Sequence, residues 1–215
     1  MPLARCPRCR RLNRQVDRAR AVGVYDGALR AIVHALKYEG RRSLARPLAE
    51  LMRIRGADML TGADWAVPVP LHPSRRRQRG FNQAADLASH LGVPVCLALR
   101  RHRATRTQTE LPAARRHANV RGAFAVALGS ARDNAGVPSA AAALGWRAGV
   151  PSAAAALGWR AAPMAGETIE GSIVVLVDDV STTGATLDEC ARVLKEAGVR
   201  EVRALTAARV VTPPC

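Results

Sequence analysis

Residues Ile173–Thr186 read I-V-V-L-V-D-D-V-S-T-T-G-A-T, and this stretch decides the fold. Ile173 to Val177 is an unbroken apolar run, mostly β-branched and without alternation. Such a run suits a strand buried on both faces, and hence the middle of a parallel sheet. Asp178 and Asp179 then stand side by side at its carboxyl end. Adjacent carboxylates are costly there unless they meet a cation or hydroxyl groups. Ser181, Thr182, Thr183, Gly184, Ala185 and Thr186 form a small hydroxyl-rich loop with a single glycine. From Thr186 to Ala197 the residues Leu187, Cys190, Leu194 and Ala197 share one helical face, and Gly198 is the predicted stop. The expected order is buried strand, two acids, hydroxyl loop, helix.

That order has a chemical meaning. A loop that opens a helix presents unpaired backbone N–H groups and the positive end of the helix dipole. The hydroxyls of Ser181, Thr182, Thr183 and Thr186 add donors around the same point, which makes a cradle for one phosphate monoester. The two acids just upstream suit a diol, or a magnesium ion bound to one. Phosphate and diol at that spacing describe a ribose 5-phosphate, placed where open α/β sheets bind ligands, beyond the carboxyl ends of their strands. An ordinary βα turn with threonine caps needs neither two adjacent acids nor four hydroxyls. Val174–Thr186 resembles the phosphoribosyl-pyrophosphate (PRPP) signature of type I phosphoribosyltransferases: a hydrophobic run, two acids, then T-T-G-x-T.

The chain of 215 residues allows one α/β domain with small additions. Hydrophobic residues make up 48% and aromatic ones only 3%, so the core must be built from Ala, Val and Leu. No apolar run is long enough to span a bilayer, and none near the start looks like a secretion signal, which predicts no membrane insertion. Cys6, Cys9, Cys96, Cys190 and Cys215 are scattered, as expected in a reducing cytoplasm. The net charge of +16 invites a nucleic-acid partner. Yet only Lys37 and Lys195 among the 33 basic residues are lysine, and an excess of Arg and Ala is also what a GC-rich coding sequence produces.

Cys6-Pro7-Arg8-Cys9 is a C-x-x-C knuckle, half of a tetrahedral zinc site. Two readings stand: the remnant of a zinc ribbon, or a basic tail (1–21) with two free thiols. Residues 22–62 read as a helical cover. Ala28–Tyr38 carries the stripe Leu29, Ile32, Val33 and Leu36. A second helix capped by Ser43 turns Leu44, Leu48, Leu51 and Met52 inward, with Pro47 in its first turn. Lys37-Tyr38-Glu39-Gly40-Arg41 is expected to be a polar, exposed link. The main domain is 63–215. Trp65–Pro70 is its first strand, and Leu71–Gly80 a loop rich in arginine (Arg75, Arg76, Arg77, Arg79). Phe81–Leu91 is a helix with Ala84, Leu87, Ala88 and Leu91 inward, followed by Val93–Leu99 as a short strand. Arg100–Arg121 is basic and lacks periodicity, and long loops of that kind are functional or disordered. Strand-like sequence resumes at Phe124-Ala125-Val126. Ala135–Arg147 reads A-G-V-P-S-A-A-A-A-L-G-W-R and is repeated without change as Ala148–Arg160. Two units do not make a solenoid, so 129–166 is expected to be a low-complexity surface insertion.

The resemblance narrows to the ComF-like branch of the phosphoribosyltransferases, associated with DNA uptake in competence. It is carried by Tyr25-x-Gly27, L-K-Y-x-G (Leu36–Gly40), P-V-P-L (Pro68–Leu71), R-G-F-N-Q (Arg79–Gln83), T-x-x-Q (Thr105–Gln108), Arg116-x-x-Asn119-Val120 and Gly122-Ala123-Phe124, together with the PRPP signature. It implies an α/β fold, a parallel sheet flanked by helices with a small amino-terminal helical cover. It implies PRPP with magnesium as ligand and an acceptor that the sequence does not name. Asp178 and Asp179 would hold the ribose hydroxyls and carry the catalysis, and Ser181, Thr182, Thr183, Gly184, Ala185 and Thr186 the 5-phosphate. Leu71, His72, Arg79 and Gly80 would hold pyrophosphate. Arg103, Thr105, Gln108, Arg116 and Asn119 would belong to a flexible lid. The family's amino-terminal zinc ribbon is represented by Cys6 and Cys9 alone. The alternative is a non-catalytic protein of the same fold that binds single-stranded DNA or a competence helicase. Its basic loops favour that, and its scarcity of aromatic stacking platforms speaks against direct single-strand binding.

Overall fold

The computed structural model describes residues 14–103, 118–127 and 169–211. Four parallel strands form the sheet, in the order β1 (Arg18–Val24), β6 (Glu201–Arg209), β5 (Ile173–Ser181), β2 (Trp65–Pro68). The unalternating run at Ile173–Val177 does occupy an interior strand: Val174 pairs with Val202 on one side and Trp65 on the other. Side chains of a strand point alternately to the two faces, and each face has its own core. Trp65, Val67, Val174, Leu176, Val202 and Ala204 pack against Leu187, Cys190, Ala191 and Leu194 of a long helix, and against Leu99 and Phe124. Ala66, Val175, Val177, Leu205 and Ala207 pack on the opposite side, beneath Val33, Leu36, Leu48, Met52, Leu87 and Ala88. These lining residues are mainly Ala, Val and Leu, as the low aromatic content requires.

The helices are α1 (Gly27–Tyr38), α2 (Ala45–Arg55), α3 (Ala57–Leu60), α4 (Pro73–Arg79), α5 (Gln83–Ala88) and α6 (Ala185–Glu196). Asp26 caps α1 by accepting from Gly27 N at 2.8 Å. A separate antiparallel pair joins β3 (Leu99–Arg101) to β4 (Phe124–Val126).

Several expectations change. Ser43 does not cap the second helix: it lies in a 3-10 turn, Arg42–Leu44, and α2 begins at Ala45 without a side-chain cap. Leu51 faces solvent, because Ala45, Leu48, Ala49 and Met52 already fill the inner face. Leu71–Gly80 is not a plain loop. His72 at the N-cap, Pro73 at the first position and a left-handed Gly80 at the end frame helix α4, which buries no residue and therefore shows no apolar stripe. The predicted helix Phe81–Leu91 is shorter at both ends, since Asn82 Oδ1 accepts from Ala84 N and starts the helix after Phe81. The predicted strand Val93–Leu99 reduces to a single parallel bridge between Val95 and Ala66, with regular pairing only from Leu99 onward. The strand expected over Trp65–Pro70 ends at Pro68, although Val69 N still donates to Val177 O at 2.9 Å. Arg18–Ala21, read as tail, open the edge strand β1.

Candidate functional site

The strand β5 runs past its apolar stretch, so both acids belong to it and Ser181 is its last residue. Alternation then separates the acids. Asp179 follows Val177 onto the face covered by α1 and α2, and Asp178 follows Leu176 onto the α6 face. Each bends back on the backbone: Asp178 Oδ1 accepts from Asp179 N at 2.9 Å, and Asp179 Oδ1 from Val180 N at 2.6 Å. Asp179 is only 2% exposed. Its other oxygen lies 2.8 Å from Nζ of Lys37, in the last turn of α1. Burial alone would lower the Lys37 pKa, but the Asp179 carboxylate outweighs it and holds the ammonium above its ordinary range. Burial drives Asp178 up to about 8, and the Asp179 charge adds to the effect while Lys37 opposes it. Burial beside a second carboxyl thus favours the protonated form of Asp178, and the Lys37 ammonium works against it.

The hydroxyl loop follows as expected. Ser181, Thr182, Thr183 and Thr186 are all half-buried, open enough to meet a ligand. Gly184 occupies the N-cap of α6 at φ 81°, a left-handed conformation that favours glycine. The helix begins one residue before the expected Thr186, at Ala185, whose N–H reaches Thr183 Oγ1 at 3.4 Å. Arg14 lies over this loop. Its guanidinium donates to Thr183 O at 2.9 Å and pairs with Asp188 in the first turn of α6.

The second expected anion site lies at the carboxyl end of β2. His72 Nδ1 accepts from Ser74 N at 3.3 Å and so helps to start α4. Gly80 ends it at φ 81°. Asn82 Nδ2 donates to Val69 O at 3.1 Å and fastens this turn to β2. Arg79 donates to Gln83 Oε1 at 2.7 Å, and its guanidinium stands 5.5 Å from the centre of the Tyr38 ring. Leu71 and His72 are half-buried beside it. Contacts run from Arg79 to Tyr38, through the chain to Lys37, and on to Asp179, so α1 joins the two expected anion sites.

Of the residues expected in a lid, Arg103 donates to Asn119 O at 3.4 Å and to Arg121 O at 2.5 Å. Thr105, Gln108 and Arg116 lie outside the described residues, as do Cys6, Cys9 and the repeat. Among the described residues no group of three or more His, Cys, Asp or Glu could hold a metal ion. With Asp178 and Asp179 on opposite faces, the described residues do not make a magnesium cage. A magnesium ion carried by a ligand's phosphate oxygens needs only one or two carboxylates from the protein, and of the two acids the half-buried Asp178 is the one open to a ligand. No helix among the described residues is long and apolar enough to cross a membrane.

Lys37 is the member that sequence reasoning placed wrongly, on an exposed link. Tyr38, Glu39, Gly40 and Arg41 are exposed, but the Lys37 side chain is only 17% exposed. A signal was present: Lys37 stands four residues after Val33 and next to Leu36, on the inward stripe of the helix.

A parallel sheet between two helical layers, with a hydroxyl loop and two acids at the end of an interior strand, is the architecture of a phosphoribosyltransferase. The chain belongs to the phosphoribosyl transferase domain family, whose match covers residues 77–211. Its relatives place it in the ComF-like branch. It is 26% identical over 214 residues to competence protein F of Haemophilus influenzae, covering 95% of this chain and 78% of that protein. It is 29% identical over 212 residues to the DNA utilization protein YhgH of Salmonella typhimurium, covering 94% of this chain and 76% of the relative. The YhgH protein of Escherichia coli K12 is 29% identical over 208 residues, 92% of this chain and 74% of the relative. No solved structure matches the chain.

Proposed function

We propose that this protein is a PRPP-binding member of the phosphoribosyltransferase fold that serves DNA uptake. The observation that carries the binding half is the loop Ser181–Thr186. It places four half-buried hydroxyl residues and the amino end of a twelve-residue helix directly after a dyad of acids. Those groups suit a 5-phosphate, and the acids suit ribose hydroxyls. The arginines of α4 suit the pyrophosphate, with magnesium arriving on its oxygens. The names of its relatives, a competence protein and DNA utilization proteins, support the uptake half. The bound partner there would be single-stranded DNA or a helicase, reached through the basic α4 turn. Calorimetric titration with PRPP and magnesium tests the site. Binding is expected for the native chain and not for Asp178→Asn/Asp179→Asn, measured where circular dichroism shows the variant, whose Lys37 loses its buried partner, to be folded. Equal affinity in the double variant would refute the assignment.

Phosphoribosyl transfer to an acceptor is the second reading, favoured by the family. Displacement of pyrophosphate from the anomeric carbon passes through an oxocarbenium-like state, so positioning and charge would carry the rate. Release of pyrophosphate in the presence of a panel of nucleobases and amines would support it; PRPP binding without release would leave the non-catalytic role.

A further inference from the structure

The ion pair between Lys37 and Asp179 crosses from the amino-terminal cover to the carboxyl end of the central strand. Its carboxylate is 2% exposed and its ammonium lies 2.8 Å away. A carboxylate so buried requires a partner, and a pair of this kind is seldom a net gain in stability over apolar side chains of similar size. The position of the pair is therefore more informative than its energy. Tyr38, the next residue, lies beneath the Arg79 guanidinium at 5.5 Å. Asp179 leads within two residues into the hydroxyl loop. Lys37 thus stands between the two halves of the site, and a ligand with one phosphate in the β5–α6 loop and another at the α4 turn would pass it.

The residue type points the same way. This chain uses arginine for almost every cation, and only Lys37 and Lys195 are lysine. Guanidinium offers a rigid planar fork, whereas an ammonium is a compact point charge with three rotatable donors that can be shared among partners in several directions. The described structure sets the Lys37 ammonium 2.8 Å from one Asp179 oxygen, and an ammonium has three donors, more than one carboxylate oxygen occupies. An anionic ligand entering beside two acids also needs a cation to offset their charge.

We propose that Lys37 is a ligand-binding residue of this site, its ammonium shared between Asp179 and the phosphate oxygens of a sugar phosphate that spans the β5–α6 loop and the α4 turn. This rests on the PRPP reading above and adds to it a residue from the cover. The test is calorimetry with pyrophosphate, ribose 5-phosphate and PRPP on the native chain and on Asp179→Asn, Lys37→Met and Lys37→Met/Asp179→Asn. In the double variant no unpaired charge is left in the interior, so it should fold even if Lys37→Met does not. Comparison of the double variant with Asp179→Asn, at a temperature where circular dichroism shows both folded, isolates the ammonium. Loss of that donor should weaken pyrophosphate and PRPP roughly tenfold or more, as expected for a hydrogen bond to a charged group, with a smaller effect on ribose 5-phosphate. Equal pyrophosphate and PRPP affinities in those two variants would overturn the proposal and leave Lys37 a structural counter-ion. Failure of the native chain to bind any of the three ligands would overturn the PRPP reading itself, and this proposal with it.

Discussion

Two segments at the carboxyl edge of the sheet present an anion with different chemistry. Both follow a parallel strand, both lie at the carboxyl edge of the sheet, and in each a glycine at φ 81° marks a helix end, Gly184 before α6 and Gly80 after α4. The β5–α6 turn is made of hydroxyls and backbone amides, and leads into a twelve-residue helix with seven buried residues. After β2 the charge sits on the helix itself: Arg75, Arg76, Arg77 and Arg79 all lie in the seven-residue α4, which buries no residue. A neutral cradle backed by a packed helix suits one phosphate held in a fixed place. A basic turn on the surface suits a charge-dense group, such as pyrophosphate or a nucleic-acid backbone, held mainly by Coulomb attraction. On the proposed reading the first would hold a ligand by geometry and the second by charge, with α1 between them.

The largest expected effect lies at that junction. Lys37→Met leaves Asp179 buried without a cation, and breaking a buried pair from one side costs about 3–5 kcal/mol. Urea unfolding should show a loss of that order, whereas Arg41→Met, which removes an exposed pair with Glu39, should cost under about 1 kcal/mol. Similar losses in both would mean that α1 is not fastened to the site.

A pH effect is expected at Asp178. Its carboxyl is raised in the folded protein to about 8, from an ordinary 3.8. The folded state then holds a proton that the unfolded chain has released. The stability it contributes is complete below the ordinary value and is lost as pH rises toward 8. Melting temperatures across that window should fall more for the native protein than for Asp178→Asn; parallel curves would show that Asp178 is charged at neutral pH.

The two glycines sharpen the comparison further. A β-carbon at Gly184 would lie 2.6 Å from the Arg14 guanidinium, while one at Gly80 meets nothing within 4 Å. Gly80→Ala should cost only the left-handed backbone penalty, about 1–2 kcal/mol. Gly184→Ala should cost at least as much, and should also weaken PRPP binding by displacing Arg14 from the cradle. If Gly80→Ala proved the more damaging to PRPP binding, the fixed and adaptable turns would have been assigned the wrong way round.

The smallest stability effect belongs to Arg77, exposed on α4. Arg77→Ala should change stability by less than about 0.5 kcal/mol. If this turn also meets single-stranded nucleic acid, its loss should reduce the log–log salt slope of oligonucleotide binding by roughly 0.7. An unchanged slope would remove Arg77 from that surface.

How far the sequence could be read follows the same division. Residues 173–186 were legible because a doubly buried strand needs an unbroken apolar run, and a phosphate cradle needs small hydroxyl residues. The α6 stripe of Leu187, Cys190 and Leu194 was legible for the same reason, and all three are buried. Helix α4 escaped notice because it packs nothing and so has no stripe, although Pro73 and Gly80 marked its ends. Strand β1 was hidden because Arg18 and Arg20 alternate with small residues on an edge, and their charges are met by Asp58 rather than by solvent alone. The opposite facing of Asp178 and Asp179 was available in principle, since it follows once both lie in a strand. The Lys37 contact was not, because it joins residues far apart in the chain through the packing of α1 on the sheet.

On the proposed reading the β5–α6 turn would hold the sugar phosphate. Amide NMR of the labelled protein during titration with ribose 5-phosphate tests it without relying on catalysis or on an acceptor. The backbone N–H signals of Thr183, Gly184, Ala185 and Thr186 should move first and furthest, with those of Arg75–Gly80 responding to pyrophosphate instead. Shifts from ribose 5-phosphate confined to the α4 turn, or none at any concentration, would contradict the account.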